Sequence, residues 1–217
     1  MNQTIEYAPH QTAIRDTLFG DLPLAQWAGT DADGIPWTLF KQAKHSLDNG
    51  HQEEAIQTLL SIIATPGLES RQYLQAWHFL GQLAVAPTSI IEVYGLVIEV
   101  AMDQGLDLLA VYADHSARYY NYSGSAIIWD QPDAGIGAKI DIILAQGAEI
   151  IPFIGPWKDA RPAAPVNGNA RINILTSNGL YFGEAGQLAL FKDAMAGKTM
   201  YAMLDMMETL INKTNGL

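Results

Sequence analysis

Apolar residues recur at three- and four-residue steps between Pro36 and Pro87, and beyond Pro87 the dominant period falls towards two. The first regime predicts three helices. In PWTLFKQAKHSLDNG, Trp37, Phe40, Lys41, Lys44 and Leu47 lie at helical offsets, with Pro36 suited to the first turn and Asn49-Gly50 to the stop. HQEEAIQTLLSIIATPG carries a stripe of Ala55, Ile56, Leu59, Leu60, Ile62 and Ile63 and ends at Pro66-Gly67. A third helix runs through LESRQYLQAWHFLGQLAV, where Leu68, Tyr73, Leu74, Trp77, Leu80 and Leu83 are spaced to share a face. Ahead of these, residues 1–35 mix Pro9, Gly20, Pro23, Gly29 and Gly34 with isolated apolar residues. They read as an arm with a short helix, around DTLFGDLPLAQWA, and turns.

The second regime predicts a sheet. IIEVYGLVIEVAM is rich in β-branched residues and reads as a strand bulged near Gly95. LDLLAVYA, ARYYNYS and AIIWD follow, separated by turn residues at hairpin spacing, as a meander in which Arg118, Tyr120 and Tyr122 share a face. AGIGAKIDIILAQG predicts a helix through Ile136, Ile140, Ile143 and Leu144 that stops at Gly147, and EIIPFI a short strand. Asn178-Gly179 between ARINILTS and LYFG predicts a tight hairpin. Met200, Met203, Leu204, Met207, Leu210 and Ile211 mark the stripe of a closing amphipathic helix. Strands before a helix, twice over, give an α+β class. The expected organisation is an N-terminal arm (1–35), a helical hairpin region (36–87) and an antiparallel β-sheet (meander) domain with packed helices (88–217).

Within the helical region, Leu39 and Ala43 occupy a first helix, Gly50 the turn, Glu54–Ile56 and Leu59 a second helix, and Pro66 the close. AWHFLG then restarts the pattern with Trp77, Leu80 and Gly81. Residues 37–87 in this respect resemble a degenerate tetratricopeptide repeat. The step from Leu39 to Trp77 is 38 residues, against a family period of about 34. The second copy stops after its first helix. The resemblance implies an antiparallel helical hairpin plus one helix; against repeat-type peptide binding, the favoured expectation is a helical cap packed on the rest of the chain. A peptide-binding groove would take at least three repeats.

Composition narrows the function classes. The 217 residues are 49% hydrophobic and 16% charged, and 12 Lys and Arg against 23 Asp and Glu give a net charge of −11. Mean hydropathy is +0.05. Such a chain lacks the clustered cations that neutralise phosphates, so neither nucleic acid nor an anionic membrane surface is an expected partner. The absence of cysteine excludes disulfide scaffolds, thiolate zinc sites, iron–sulfur clusters and cysteine nucleophiles. With no basic-then-apolar leader and no apolar run near the roughly 20 residues that span a bilayer, a cytoplasmic location is expected. The charge is uneven: residues 1–36 carry −4, residues 37–87 carry −1 and residues 88–217 carry −6.

Few motifs carry chemistry. TDADG opens like a calcium loop, but Gly34 arrives one residue early and position twelve from Asp31 is Gln42, so a solvated turn is expected. Asp114-His115-Ser116 holds triad residue types on a single turn, where they cannot align as orienter, base and nucleophile. His45 and His51 flank one turn but lack metal-ligand spacing, and Gly135-Ile136-Gly137 lacks the rest of a dinucleotide fingerprint. No catalytic residue, metal ligand or cofactor is assigned.

The segment GPWKDARPAAPVNGNA, residues 155–170, is a long connection stiffened by Pro156, Pro162 and Pro165. Its Trp157, Lys158 and Arg161, with Arg118 and Arg171 on nearby strands, predict a basic, aromatic ligand-binding pocket suited to a carboxylate, a phosphate or an acidic peptide. The competing expectation has Trp157 closing a core edge and Arg161 paired with an acid. The functional expectation is a non-catalytic binding or assembly protein, using the 155–170 loop or an apolar face. Its partner is a protein or a small anionic ligand, and homo-oligomerisation is left open. The alternative is a small enzyme or sensor for an anionic metabolite, with arginine clamps and Asp114 or His115 as acid/base. A buried histidine of perturbed pKa beside those arginines would favour the enzyme.

Overall fold

A computed structural model describes residues 9–28, 31–88, 90–166 and 168–216. The three helical stripes form α3 (Trp37–Asp48), α4 (Gln52–Ile63) and α5 (Ser70–Gln82), preceded by α1 (Pro9–Asp16) and α2 (Leu24–Trp27). The arm's first described helix therefore lies earlier than DTLF. Phe40, Ala43, Leu59, Ile62, Ala76 and Phe79 fill the core of the helical region, with the Phe40 and Phe79 rings nearly perpendicular at 6.1 Å. At the start of α5, Glu69 and Gln72 form a reciprocal capping box, which satisfies amide groups the first turn leaves without helical partners.

Residues beyond Pro87 form one six-stranded antiparallel sheet in the order β4-β3-β2-β1-β5-β6. The strands are β1 (Val93–Met102), β2 (Gly105–Tyr112), β3 (Ala117–Tyr120), β4 (Ala126–Trp129), β5 (Asn169–Thr176) and β6 (Gly179–Gly186). The molecule is α+β. The register shifts between Val93 and Gly95, so the irregularity expected at Gly95 is present. Alternation divides the sheet. Leu96, Ile98, Leu109, Val111 and Ile172 face α6 (Ala134–Ile150) and α8 (Ala196–Asn215), whereas Val97, Leu108, Ala110 and Leu175 pack with Leu18, Phe19 and Leu74. A short α7 (Gln187–Lys192) links β6 to α8.

Three local expectations change. EIIPFI is not a strand: α6 runs to Ile150, and Ile151–Phe153 forms a 3-10 turn. Gly147, read as a stop, is instead a contact residue, because a Cβ there would lie 3.1 Å from Leu96 Cδ1. In the last helix the buried stripe is Met200, Met203, Met206 and Leu210, while Leu204 is 40% exposed. The β5–β6 hairpin pairs Thr176 with Gly179 across Ser177-Asn178, with Gly179 at φ +95°, a conformation that favours glycine. Among the described residues no helix is long and apolar enough to cross a membrane.

Candidate functional site

The 155–170 connection is a strap held by charged side chains from three parts of the chain. Glu99 on β1 is fully buried. It pairs with the Arg15 guanidinium, accepts from Arg171 Nη1 at 3.3 Å, and accepts from Asn173 Nδ2 at 3.0 Å. The two arginines then reach the strap: Arg15 Nη2 donates to Pro162 O and Arg171 Nη1 to Ala163 O, both at 2.8 Å. Arg171 also pairs with Glu184 across the β5–β6 ladder, with Nε–Oε2 at 2.9 Å. Arg161 turns back to the arm, binding Asp21 at 2.6 Å and Asp16 at 2.7 Å, and lies 4.3 Å from the Phe19 ring centroid. Burial lowers the Arg161 pKa, but the Asp21 and Asp16 carboxylates outweigh it and hold the guanidinium above its usual range.

A cleft of about 530 Å³ opens between the strap, the C-terminal end of α5 and the β5–β6 turn. Trp157, Lys158 and Arg161 line it from the strap, and Trp77, His78 and Gln82 from α5. Trp157 is 41% exposed. Its ring meets Phe182 edge-on at 5.1 Å, its amide donates to Leu180 O at 2.7 Å, and its indole donates to Ala160 O at 2.9 Å. The ring is thus a fixed wall rather than a core plug. Lys158 is exposed, and no carboxylate among the described residues pairs with it. His78 is half-buried. Desolvation lowers its pKa from the usual 6.5, with Asp21 opposing and Arg161 adding to the effect. The imidazole is therefore neutral at pH 7, and one ring nitrogen lies 2.9 Å from Gln82 Nε2.

Arg118 and Arg171 do not reach this cleft. Arg171 underpins the strap, as above. Arg118 is buried on β3, where its Nη1 donates to Ala117 O and Trp129 O. Three strand spacings of about 4.8 Å put β3 and β5 roughly 14 Å apart, and register sets Arg118 level with Asn173, two residues along β5 from Arg171. Asp114 is an anchor: it accepts the Ser70 amide at 2.7 Å while its own amide donates to Ser70 Oγ at 2.9 Å, tying the start of α5 to the β2–β3 turn. His115 pairs with exposed Asp141 at 2.9 Å. His45 contacts Asn49, and His51 contacts Glu54. Among the described residues no three His, Asp or Glu side chains are grouped to hold a metal ion.

Sequence reasoning missed His78, Arg15 and Glu99. His78 sits on a helix face with no motif, and only the fold brings it beside the strap. Glu99 gave a faint signal, as an acid within the apolar run LVIEVAM, where a buried charge needs a partner. Compared with family models, curated proteins and solved structures, the chain matches none.

Proposed function

We propose that the protein is a non-catalytic binding module that takes a small organic anion, a carboxylate or phosphate ester, in the cleft beside the strap. The observation that carries this reading is Lys158: an exposed cation without a carboxylate partner among the described residues, beside the fixed Trp157 ring at the cleft wall. The anionic group is assigned to Lys158 and the ligand's apolar body to Trp157 and Trp77, the usual division in a small-molecule site. Arg161 is neutralised by Asp16 and Asp21 and shapes the wall. Arg171 steadies the strap from below.

Thermal-shift and calorimetric screening of carboxylates and phosphate esters against the full chain tests this. A hit is expected to bind the native chain about tenfold tighter than the Lys158→Glu variant, a loss of about 1.4 kcal/mol. Trp157→Ala should also weaken it. Lys158 is exposed, so its variant should keep the melting temperature, whereas Trp157→Ala also removes the ring contact with Phe182 and the indole bond to Ala160 O, and its affinity is compared at a temperature where the variant is folded. Unchanged affinity in both variants would sink the reading. Arg161→Ala is a poorer test, because it also frees the Asp16 and Asp21 carboxylates.

His78 supports a second reading, as an enzyme on the same anionic ligand. A neutral imidazole in a cleft beside an arginine can accept a proton at pH 7. Turnover of the bound ligand that His78→Gln abolishes at unchanged affinity would select it over the binding module.

A further inference from the structure

A second pocket, of about 220 Å³, lies on the opposite face of the sheet, where the first half of α8 and α7 cross β1–β3. Its walls are Val100, Leu109, Phe191, Met200, Met203 and Met207, and the half-exposed Leu204 stands at its edge. One charged group enters this lining: Asp107 on β2. Its place there follows from register. Asp107 is opposite Val100, on the same sheet face as Leu109, and that face is otherwise apolar core.

Asp107 is half-buried and has no cationic partner among the described residues. It accepts the Tyr122 amide at 2.6 Å on Oδ1 and the Tyr119 hydroxyl at 3.3 Å on Oδ2. A carboxylate offers about four acceptor positions, so two bonds leave it under-satisfied, and partial burial without a counter-ion is costly. Burial accordingly raises its pKa, and burial beside Asp107 raises that of Tyr119 to about 12. Tyr119 therefore stays a neutral donor. The pocket contributes no Lys, Arg or His of its own.

We infer that this pocket binds a small aromatic primary amine, with its ammonium on the Asp107 carboxylate and its ring among Met200, Met203, Met207 and Phe191. Charge complementarity selects the cation, because the carboxylate is the pocket's sole charge. The methionines select the ring: their unbranched, polarizable side chains reshape around a guest and make favourable sulfur–aromatic contacts. The volume admits one ring and a short arm rather than a nucleotide. This site is separate from the strap cleft and does not depend on its assignment.

Calorimetry with three near-isosteres on the full chain tests the inference: 2-phenylethylamine, neutral 2-phenylethanol and anionic 3-phenylpropanoate. The amine is expected to bind at least tenfold tighter than either of the others. Asp107→Asn keeps an acceptor for the Tyr122 amide, so it should fold. It should abolish the preference for the amine while leaving the alcohol unchanged. Met203→Trp, which fills the pocket, should remove binding of all three. Equal affinities, no binding at millimolar concentration, or an amine preference that survives Asp107→Asn each overturn the inference. So does tighter binding of n-butylamine than of 2-phenylethylamine, which would identify the guest as a lysine side chain from a protein partner.

Discussion

Glu99→Ala is expected to destabilise the fold by about 3–5 kcal/mol, the cost of leaving buried charge without its partner. Glu99 is fully buried between Arg15 and Arg171. In the intact network two guanidinium groups face two carboxylates, Glu99 and Glu184. Removing Glu99 leaves buried Arg15 with no carboxylate among its described partners and Arg171 with Glu184 alone, and Asn173 Nδ2 keeps only its bond to Val97 O at 3.1 Å. The damage should not be confined to β1. Arg15 carries α1, and both arginines hold strap carbonyls, so the arm and residues 155–166 should become accessible to protease well before the sheet unfolds. Urea denaturation measures the first effect and limited proteolysis the second. Glu99→Gln, which keeps an acceptor, should fall between Glu99→Ala and the native chain. A loss below about 1 kcal/mol for Glu99→Ala would mean that water or relaxation replaces the partner, as for exposed pairs.

That network also marks where the sequence stopped being readable. Helix and strand positions follow from local pattern: the stripes of α3, α4 and α5 are legible because each helix meets its core through one face, whereas β1 and β2, buried on both faces, are legible as short β-branched and apolar runs bounded by turn residues. EIIPFI failed because a short apolar run fits a buried helix end as well as a strand. In the last helix Met200, Met203 and Leu210 are buried and Met207 packs on the core, but Met206 is inside and Leu204 is 40% exposed; both are apolar, so periodicity alone does not separate them. The candidate site was legible only in part. A long proline-stiffened connection with Trp157, Lys158 and Arg161 stands out in one dimension, and these three residues do line one cleft. Arg118 shares a sheet face with Arg171, yet the strand order puts β2 and β1 between them. Asp16 and Asp21, the partners of Arg161, precede it by 145 and 140 residues. No periodicity records a pairing over that distance.

Gly20→Ala should cost roughly 2–5 kcal/mol, from two separable causes. Gly20 has φ +64°, and a residue with a Cβ is strained there by about 1–2 kcal/mol. The added Cβ would also stand 2.7 Å from Leu74 Cβ, 3.1 Å from Arg71 O and 3.2 Å from Gln75 N. Two of those atoms are α5 backbone, which cannot rotate aside, so an overpacking cost of about 1–3 kcal/mol is added. The segment cannot retreat from α5 either. Buried Gln75 clasps Leu22 through both its amide and carbonyl, at 3.1 and 2.8 Å, and the Tyr112 hydroxyl donates to Leu18 O at 2.8 Å. Gly67→Ala is the control. Gly67 has φ +77° with nothing within 4 Å of the added carbon, so it isolates the backbone cost alone. In thermal or urea unfolding, the excess of Gly20→Ala over Gly67→Ala measures the close approach of arm to helix; equal losses would show that the approach contributes nothing. Gly20 and Asp21 both line the cleft. Displacing them should therefore pull Asp21 from Arg161 and weaken any ligand held beside the strap, even in molecules that remain folded.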